Sequence, residues 1–194
     1  MTAPFTTTPA VSTFRPAVRP AAVTRLISEI AELSTADASD RFGAQARVLD
    51  LPLRQFGGRR SFYGPVRTVR CHRDNELVRQ LLGEPGMGSV LVVDGGGSTR
   101  SALLGDRIAD SAVRHGWSGV VVHGAVRDAA VLEATELGVA ALTTHPERSS
   151  KSGRGEVDVS LALGGAAINP GDVVLADLDG VLVIDPWRVE ANHF

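Results

Sequence analysis

The sequence predicts an α/β protein in which a parallel half and an antiparallel half share one sheet or barrel. Between residues 89 and 144, three short apolar segments alternate with two segments of helical periodicity. This pattern is typical of parallel strands joined by helical crossovers. After Pro146 come short apolar runs separated by turn-forming residues, which favour antiparallel strands. A chain of 194 residues suits one domain with a flexible end.

The amino-terminal region predicts a tail followed by two helices. Residues 1–20 are rich in Thr, Pro and Ala, and we expect a disordered tail because this segment can bury little apolar surface. Thr35 or Asp37 is expected to cap the second, shorter helix. The apolar residues of the first helix recur at helical spacing and are Val23, Leu26, Ile27, Ile30 and Leu33.

The segment from residue 50 to residue 86 contains breaks at glycine and proline. The pairs Gly57–Gly58 and Gly64–Pro65 interrupt DLPLRQFGGRRSFYGPVRTVRCH, which predicts a strand, a turn and another strand. NELVRQLLGEPG follows and predicts a helix that ends at Gly83 and Pro85.

The central segment predicts the parallel half. SVLVV, GVVVHGAV and VAALTT are unbroken apolar strands, as expected when both faces of a parallel sheet are covered. GDRIADSAVRHG predicts a helix that ends at Gly116, and RDAAVLEATELG predicts a second helix closed by Gly138. The first of these helices should bury an apolar stripe formed by Ile108, Ala109, Ala112 and Val113.

The carboxyl-terminal third predicts short antiparallel strands. The segments DVSLALGG and AAINPGDVVLADLDGVLVID contain turn signals at Gly164–Gly165, at 169–171 and at Asp179–Gly180. We therefore expect one α/β domain over residues 21–187, followed by a short tail over residues 188–194.

Composition restricts the partners and the compartment. The formal net charge is −2, which gives no electrostatic reason to expect nucleic acid or an anionic membrane as a partner. No apolar run approaches the length of a membrane span. Cys71 is the one cysteine, so it forms no intrachain disulfide and no cysteine zinc cluster, and we expect it to be buried and inert. A cytoplasmic location follows by default.

Two loops of the parallel half carry candidate site residues. Gly105–Asp106 precedes one helix and Arg127–Asp128 precedes the next, with twenty residues between Asp106 and Arg127. Ligands of parallel α/β units gather beyond the carboxyl ends of the strands. A helix N-terminus and an arginine attract an anion, and an aspartate attracts a hard cation such as Mg²⁺. The structural alternative is that both aspartates cap helices and Arg127 pairs with one of them.

The same region resembles a known family. The stretch DGGGSTRSALLGDRIADSAVRHGWSGVVVHGAVRDAAVLEATELGVAAL, with its Asp-x20-Arg-Asp spacing, and the later GDVVLADLDGV look like the RraA-like family. That family is named for a regulator of ribonuclease activity and includes 4-hydroxy-4-methyl-2-oxoglutarate aldolases. The resemblance covers roughly residues 23–186. It implies a swivelling β/β/α sandwich with a mixed sheet or barrel and flanking helices.

The resemblance also implies a role for each matching residue. Asp128 would bind a divalent metal, Mg²⁺ or alternatively Mn²⁺, and Arg127 would contact the keto oxygen of a 2-oxo acid and stabilise an enolate. The Asp106 side chain would hold a water on the metal. The family further implies a homotrimer or hexamer with active sites between subunits. The substrate carboxylate would bind the backbone of Gly105, Asp106, Arg107 and Ile108.

These roles describe a metal-dependent, class II lyase. It would cleave 4-hydroxy-4-methyl-2-oxoglutarate or decarboxylate oxaloacetate, and both reactions leave a pyruvate enolate. A Schiff-base aldolase is disfavoured because the one lysine, Lys151, lies in a polar loop. Some longer aldolases of the family supply an acid from a neighbouring subunit, and neither Glu190 nor any other residue here matches it.

Two further functions compete with the lyase. The alternative function is a non-catalytic regulator that binds and inhibits a ribonuclease E-type enzyme. A menaquinone methyltransferase, a name attached to related sequences, is disfavoured because no adenosylmethionine-binding pattern is evident. Asp94 fits a supporting role beside the site and a turn-stabilising role equally well, whereas structural roles are expected for His123, as a hydrogen-bonded histidine, and for Trp117, in packing.

Overall fold

The computed structural model describes residues 21–191 of the chain. The predicted tail at residues 1–20 lies outside the described residues. The helices are α1 (Ala21–Ile30), α2 (Thr35–Phe42), α3 (Glu76–Leu81), α4 (Asp106–Arg114), α5 (Ala129–Glu133) and α6 (Pro186–Ala191). The strands are β1 (Ala46–Val48), β2 (Arg54–Gln55), β3 (Phe62–Cys71), β4 (Val90–Asp94), β5 (Ala102–Leu104), β6 (Gly119–Val126), β7 (Gly138–Thr144), β8 (Gly155–Val157), β9 (Leu161–Leu163), β10 (Ala166–Ile168), β11 (Val173–Ala176) and β12 (Val181–Ile184).

One ten-stranded mixed sheet dominates the described part of the chain. Its order is β1-β12-β11-β3-β4-β6-β7-β2, with β5 pairing beside β6 and β8 beside β3. Strands β3, β4, β6 and β7 are parallel, whereas β11, β12 and β1 continue from β3 in antiparallel pairs. The predicted parallel and antiparallel halves are therefore confirmed, and β3 is the strand that both halves share.

The expected break at Gly64–Pro65 is wrong, because β3 runs without interruption from Phe62 to Cys71. Gly64 is required by a close approach of chains: a Cβ there would lie 2.0 Å from the carbonyl oxygen of Gly88. The ladder between β3 and β4 begins only at Val66. The missing N–H of Pro65 therefore removes no ladder bond on that side.

Two helix expectations need correction. The N-cap of α2 is Ser34, and neither Thr35 nor Asp37 has this role: the Ser34 hydroxyl accepts the N–H of Asp37 at 3.0 Å. Thr35 instead donates its hydroxyl to Asp177 at 2.6 Å, across the fold. In α4, Ala109 and Ala112 are buried as expected, whereas Ile108 is only half-buried and Val113 is 37% exposed.

The helix expected up to Gly138 is much shorter, because α5 ends at Glu133 and Gly138 begins β7. Gly138 lies against the buried ring of Phe62, where a Cβ would come within 2.1 Å of a ring carbon. This glycine therefore serves strand packing and not helix termination. Helix α6, for which the sequence pattern contains no clear signal, covers residues 186–191, and the Asp185 carboxylate accepts the N–H of Trp187 at 3.0 Å.

Three apolar clusters build the layers around the sheet. One lies between the parallel strands and helices α3, α4 and α5, and a second lies between the other sheet face and the β9–β10 hairpin. The third joins α1, α2 and α6 to the antiparallel strands. Alternation along β12 shows the layering, because Val181 and Val183 enter the second cluster while Leu182 and Ile184 enter the third. Among the described helices, none is long and apolar enough to span a membrane.

Candidate active site

The pairing of β5 with β6 brings the two candidate loops together. Both strands run in the same direction, with Leu104 opposite Val126, so their carboxyl ends meet at one edge of the sheet. The Arg127 N–H donates to the Leu104 carbonyl at 2.9 Å. Helix α4 begins at Asp106 directly after β5, and α5 follows Asp128 directly after β6. The predicted convergence of Gly105–Asp106 with Arg127–Asp128 is therefore present in the structure.

Asp128 occupies a backbone conformation that side chains rarely adopt. Its φ is 58° and its ψ is 41°, in the left-handed region, and it precedes α5 as the N-cap residue. Its carbonyl nevertheless accepts the N–H of Leu132 at 3.0 Å. Strain of this kind costs on the order of 1 kcal/mol or more and is concentrated at functional sites. The conformation turns the Asp128 side chain back toward the start of α4.

The Asp128 carboxylate joins the two loops. Its Oδ2 accepts the backbone N–H of Asp106 at 3.2 Å and lies 3.3 Å from Nε of Arg127. The Asp106 Oδ1 accepts the N–H of Arg107 at 2.7 Å. These contacts agree in part with the structural alternative, because Arg127 pairs with Asp128 and both aspartates accept N–H groups at the start of α4. They leave the second oxygen of each carboxylate without a hydrogen-bond donor among the described residues.

Gly105 makes the close approach of Arg127 and Asp128 possible. A Cβ at this position would lie 2.7 Å from Oδ2 of Asp128 and 3.0 Å from Cγ of Arg127. The backbone of Gly105 is extended, with φ of −147°, so the glycine is needed for space and not for conformation. The family resemblance implies only a backbone role in anion binding for Gly105, and its steric role becomes apparent only in the structure.

The available donors fit a hard cation that keeps most of its water. Among residues 21–191, no group of three or more His, Cys, Asp or Glu side chains is placed to hold a metal ion. Asp128 and Asp106 offer only carboxylate oxygens, and both side chains reach solvent. Mg²⁺ and Mn²⁺ accept oxygen ligands, and Mg²⁺ often binds through one or two carboxylates with several waters. A zinc site closed by protein ligands does not fit this donor set.

The N-terminus of α4 is partly engaged by the site itself. The N–H of Asp106 and the N–H of Arg107 both donate to site carboxylates, at 3.2 and 2.7 Å. An anion that binds here has to exchange with these bonds or use the guanidinium of Arg127, whose side chain is 35% exposed. The two site loops are thus linked by the same groups that would receive a ligand.

His145 is a neighbour of the site that sequence analysis did not single out. It follows β7, and its N–H donates to the carbonyl of Val126 at 2.8 Å, one residue before Arg127. Its Nδ1 accepts the N–H of Glu147 at 3.2 Å, so Nδ1 is not protonated and, in a neutral ring, the proton is on Nε2. Its position along the chain gives no sign of this proximity, which only the pairing of β6 with β7 reveals.

Asp94, His123, Trp117 and Cys71 make the contacts expected of structural residues. Asp94 accepts the N–H of Gly96 at 3.0 Å and lies 3.4 Å from Nδ1 of His123. Trp117 is 3% exposed and donates its indole N–H to the Glu84 carbonyl at 2.9 Å. Cys71 is buried, and burial raises the pKa of its thiol to about 12, so the protein holds it as an unreactive thiol.

Cavity size does not identify the site. A cavity of about 680 Å³ lies at the amino ends of the parallel strands and is lined by Phe62, Trp117 and Gly64, among others. It is at the opposite edge of the sheet from Arg127 and Asp128, and none of the candidate site residues lines it. The chemistry of the side chains, and not the volume, therefore marks the carboxyl edge as the candidate active site.

Comparison with known proteins defines the class to which this fold and site belong. The family model RraA-like, described as Aldolase/RraA, matches residues 34–183, which contain every candidate site residue. The chain belongs to the RraA-like family, and the resemblance inferred from the sequence is confirmed.

Three solved structures show how closely relatives share the fold. The RNA-processing inhibitor RraA from Thermus thermophilis is 49% identical, with a TM-score of 0.76, and the match covers 79% of this chain and 93% of that one. A protein from Geobacillus kaustophilus described as S-adenosylmethionine: 2-dimethylmenaquinone methyltransferase is 47% identical, with a TM-score of 0.77 and coverage of 78% and 94%. Streptomyces coelicolor RraAS2, described as an unusual member of the RNase ES inhibitor RraA family, is 26% identical, with a TM-score of 0.71 and coverage of 86% and 88%.

Proposed function

We propose that this protein is a divalent-metal-dependent lyase that releases pyruvate from 4-hydroxy-4-methyl-2-oxoglutarate, from oxaloacetate, or from both. The observation that carries the proposal is the Arg127–Asp128 pair beside the N-terminus of α4. Asp128 is held in a strained conformation there, with one carboxylate oxygen free of any donor among the described residues. A carboxylate oxygen without a donor, next to an accessible arginine at a helix N-terminus, suits the joint binding of a cation and an anionic substrate.

The common feature of both reactions is a developing enolate. Breaking C3–C4 of a 4-hydroxy-2-oxo acid, or losing CO₂ from oxaloacetate, leaves negative charge on the former keto oxygen of pyruvate. The Arg127 guanidinium would donate hydrogen bonds to that oxygen, and its stabilisation would be greatest as the charge develops. Asp128 would hold the divalent cation, which when bound supplies a Lewis acid for the keto acid. Asp106 would orient a water beside it through its free oxygen.

Decarboxylation is the better supported of the two reactions. Loss of CO₂ from oxaloacetate requires charge stabilisation but no base, whereas the retro-aldol reaction also requires a base for the C4 hydroxyl. No acidic residue of the chain matches the base of longer relatives. Lys151, the one lysine of the sequence, is exposed in the loop after β7 and is unsuited to Schiff-base chemistry.

The proposal includes the oligomeric state of the protein and its cellular location. The side chains of Arg127 and Asp128 are 35% and 34% exposed, so a neighbouring subunit could complete the walls of the site. A homotrimer or a hexamer with sites between subunits would provide such walls, and the cytoplasm would supply the 2-oxo acids. A substrate bound in the open site of a single chain would be poorly shielded from water.

Pyruvate release tests the proposal. We expect release from oxaloacetate and 4-hydroxy-4-methyl-2-oxoglutarate with Mg²⁺, loss of release with chelator, and at least a ~100-fold lower rate in Asp128→Asn. Asp110→Asn is the matched control, because Asp110 is an exposed carboxylate on α4 that pairs with Arg114. The metal-catalysed reaction without protein sets the background for oxaloacetate. Folded protein that gives no release above this background would contradict the lyase.

A second candidate function is regulation of a ribonuclease E-type enzyme. It is favoured by the 49% identity to the Thermus protein described as an RNA-processing inhibitor. The expected result is inhibition of such a ribonuclease by stoichiometric amounts of this protein, with unchanged inhibition by Asp128→Asn. Inhibition that depends on Asp128 and on metal would instead tie both activities to one site.

A further inference from the structure

A second cavity, of about 350 Å³ and with a polar lining, lies beside the carboxyl end of β3 and the start of β5. It is formed by the residues after β3, by Ser101 before β5 and by the loop between β7 and β8. None of Gly105, Asp106, Arg107, Ile108, Arg127 and Asp128 lines it. The cavity is therefore separate from the proposed catalytic site.

Three arginines that lack carboxylate partners converge on this cavity. Arg73, Arg148 and Arg154 all line it. Within the described part of the chain, no carboxylate oxygen lies within 4.0 Å of any of their guanidinium nitrogens. Some exposed arginines are paired, as Arg79 is with Glu76 and Arg114 with Asp110, whereas Arg59, Arg100 and Arg107 have no ion pair with a described residue but do not line this cavity. Three arginines without ion-pair partners in the lining of one cavity give it a positive charge that attracts anions.

The acidic residues of the cavity do not neutralise these arginines by direct pairing. Asp74 is 2% exposed and is directed into the loop itself, where it accepts the N–H of Ser152 at 2.6 Å and the hydroxyl of Ser150 at 2.9 Å. Glu147 is exposed and forms no ion pair with the three arginines among the described residues. The guanidinium groups therefore remain available to a ligand.

The backbone around the cavity is held in place without a ligand. The Ser150 N–H donates to the Arg73 carbonyl at 2.9 Å, and the Asn75 N–H donates to the Ser150 carbonyl at 3.0 Å. On the other side, Ser149 donates its N–H to Ala102 at 3.2 Å. Arg73 has φ of 52°, a left-handed conformation that these bonds stabilise. Such preorganisation lowers the entropy cost of binding.

We propose that this cavity binds a small polyanion that carries two or more phosphate or carboxylate groups. Each guanidinium offers a fork of N–H donors that matches one such group, and three separate forks suit a ligand with more than one charge. The Ser101 and Ser149 hydroxyls share one hydrogen bond at 2.9 Å, which leaves one of their two hydrogens to donate to the ligand.

Calorimetric titration of the full chain with pyrophosphate and with citrate tests this site. The titrations are made on protein freed of metal with a chelating resin, in metal-free buffer at constant ionic strength, so that neither a metal at Asp128 nor general screening contributes. We expect saturable binding of at least one probe, with the preferred probe showing whether phosphate or carboxylate is recognised. Arg148→Gln and Arg154→Gln should each weaken binding by at least ~10-fold, and Glu147→Gln should strengthen it by ~2-fold or more.

Matched controls make the result specific to the cavity. Arg79→Gln and Arg114→Gln remove the same charge from exposed, paired arginines and should leave the affinity unchanged. Asp128→Asn should also bind the probe normally, so this proposal stands or fails independently of the lyase. Absence of saturable binding by both probes, or equal weakening in Arg114→Gln and Arg148→Gln, would overturn it.

Discussion

The two ends of the parallel strands use glycine for opposite purposes. At the amino ends, a Cβ on Gly119 or Gly138 would come within 2.3 or 2.1 Å of the ring of Phe62, which is 1% exposed. At the carboxyl end, a Cβ on Gly105 would meet the Asp128 carboxylate and the Arg127 side chain, at 2.7 and 3.0 Å. The first obstacle is a ring fixed in the core, whereas the second consists of side chains that reach solvent.

This difference separates stability from chemistry along the same strands. A core ring cannot move away without disturbing its neighbours, because protein interiors are close-packed. Partly exposed side chains can rotate away at low cost, but in doing so they lose the arrangement that the proposed reaction requires. Substitutions at the amino ends should therefore lower stability, whereas substitutions at the carboxyl end should lower turnover.

The largest expected effect is on activity at the carboxyl end. Arg127→Ala should lower kcat for pyruvate release by about a thousandfold, because it removes the group that opposes the enolate charge. The melting temperature should change little, since the Arg127 side chain is 35% exposed. Arg114→Ala, at an exposed arginine on α4, is the control and should retain full activity. A fall in stability without a specific fall in kcat would show that Arg127 is structural.

The next effect is on stability at the amino end. Gly138→Ala should destabilise the fold by about 3 kcal/mol, because the added methyl group collides with Phe62 in a packed core. Urea denaturation measures this change. Gly180→Ala is the matched control, since a Cβ there meets nothing within 4 Å and the backbone is not left-handed. Equal stability of the two variants would mean that the approach of Phe62 is not a tight constraint.

Gly105→Ala should lower turnover and leave stability nearly unchanged, the reverse of Gly138→Ala. We expect a ~10-fold to 100-fold loss of kcat with a change in unfolding free energy below about 1 kcal/mol, since Asp128 and Arg127 can shift toward solvent. Parallel measurement of activity and urea stability distinguishes this outcome from that of Gly138→Ala. If Gly105→Ala loses stability as Gly138→Ala does, the contrast between the two ends fails.

The smallest effect concerns acid stability at the carboxyl end. Burial opposes ionisation of Asp74. Hydrogen bonds from the hydroxyl and N–H of Ser152, from the backbone N–H of Glu76 and from the hydroxyl of Ser150 outweigh burial and lower the pKa of Asp74 to about 2. Its contribution of about 2 kcal/mol to stability is complete above the unfolded pKa near 4 and is lost as the pH falls from 4 toward 2. Denaturant titrations at pH 6 and pH 3 should show a smaller difference in Asp74→Asn than in the natural protein. An identical pH dependence would refute this role.

The sequence predicts the parallel half well for a physical reason. Strands covered on both faces must be apolar throughout, and the helices between them must have one apolar face. For this reason β4, β6 and β7 can be recognised in the sequence as short apolar runs. The errors in where strands and helices begin and end concern glycine and proline, whose local signals have more than one meaning. Gly64 and Gly138 are required by distant partners, Gly88 and Phe62, and no local pattern contains that information.

The candidate site was predictable in its members but not in its geometry. Parallel topology predicts that Asp106 lies near Arg127, and the family resemblance favours a reactive pair over two caps. The left-handed conformation of Asp128, the steric role of Gly105 and the position of His145 depend on strand pairing and close packing. The arginine cavity likewise joins residues from three separate segments, so spacing along the chain does not reveal it.

Metal binding by Asp128 tests the central claim most directly, because it requires no knowledge of the physiological substrate. The measurement is electron paramagnetic resonance of Mn²⁺ titrated into the protein with oxalate, a mimic of the pyruvate enolate, for the natural chain, Asp128→Asn and the Asp110→Asn control. The account predicts saturable Mn²⁺ binding in the natural chain and the control, and its loss in Asp128→Asn. Equal Mn²⁺ binding by all three proteins would contradict the assignment of the Arg127–Asp128 pair as a metal-dependent active site.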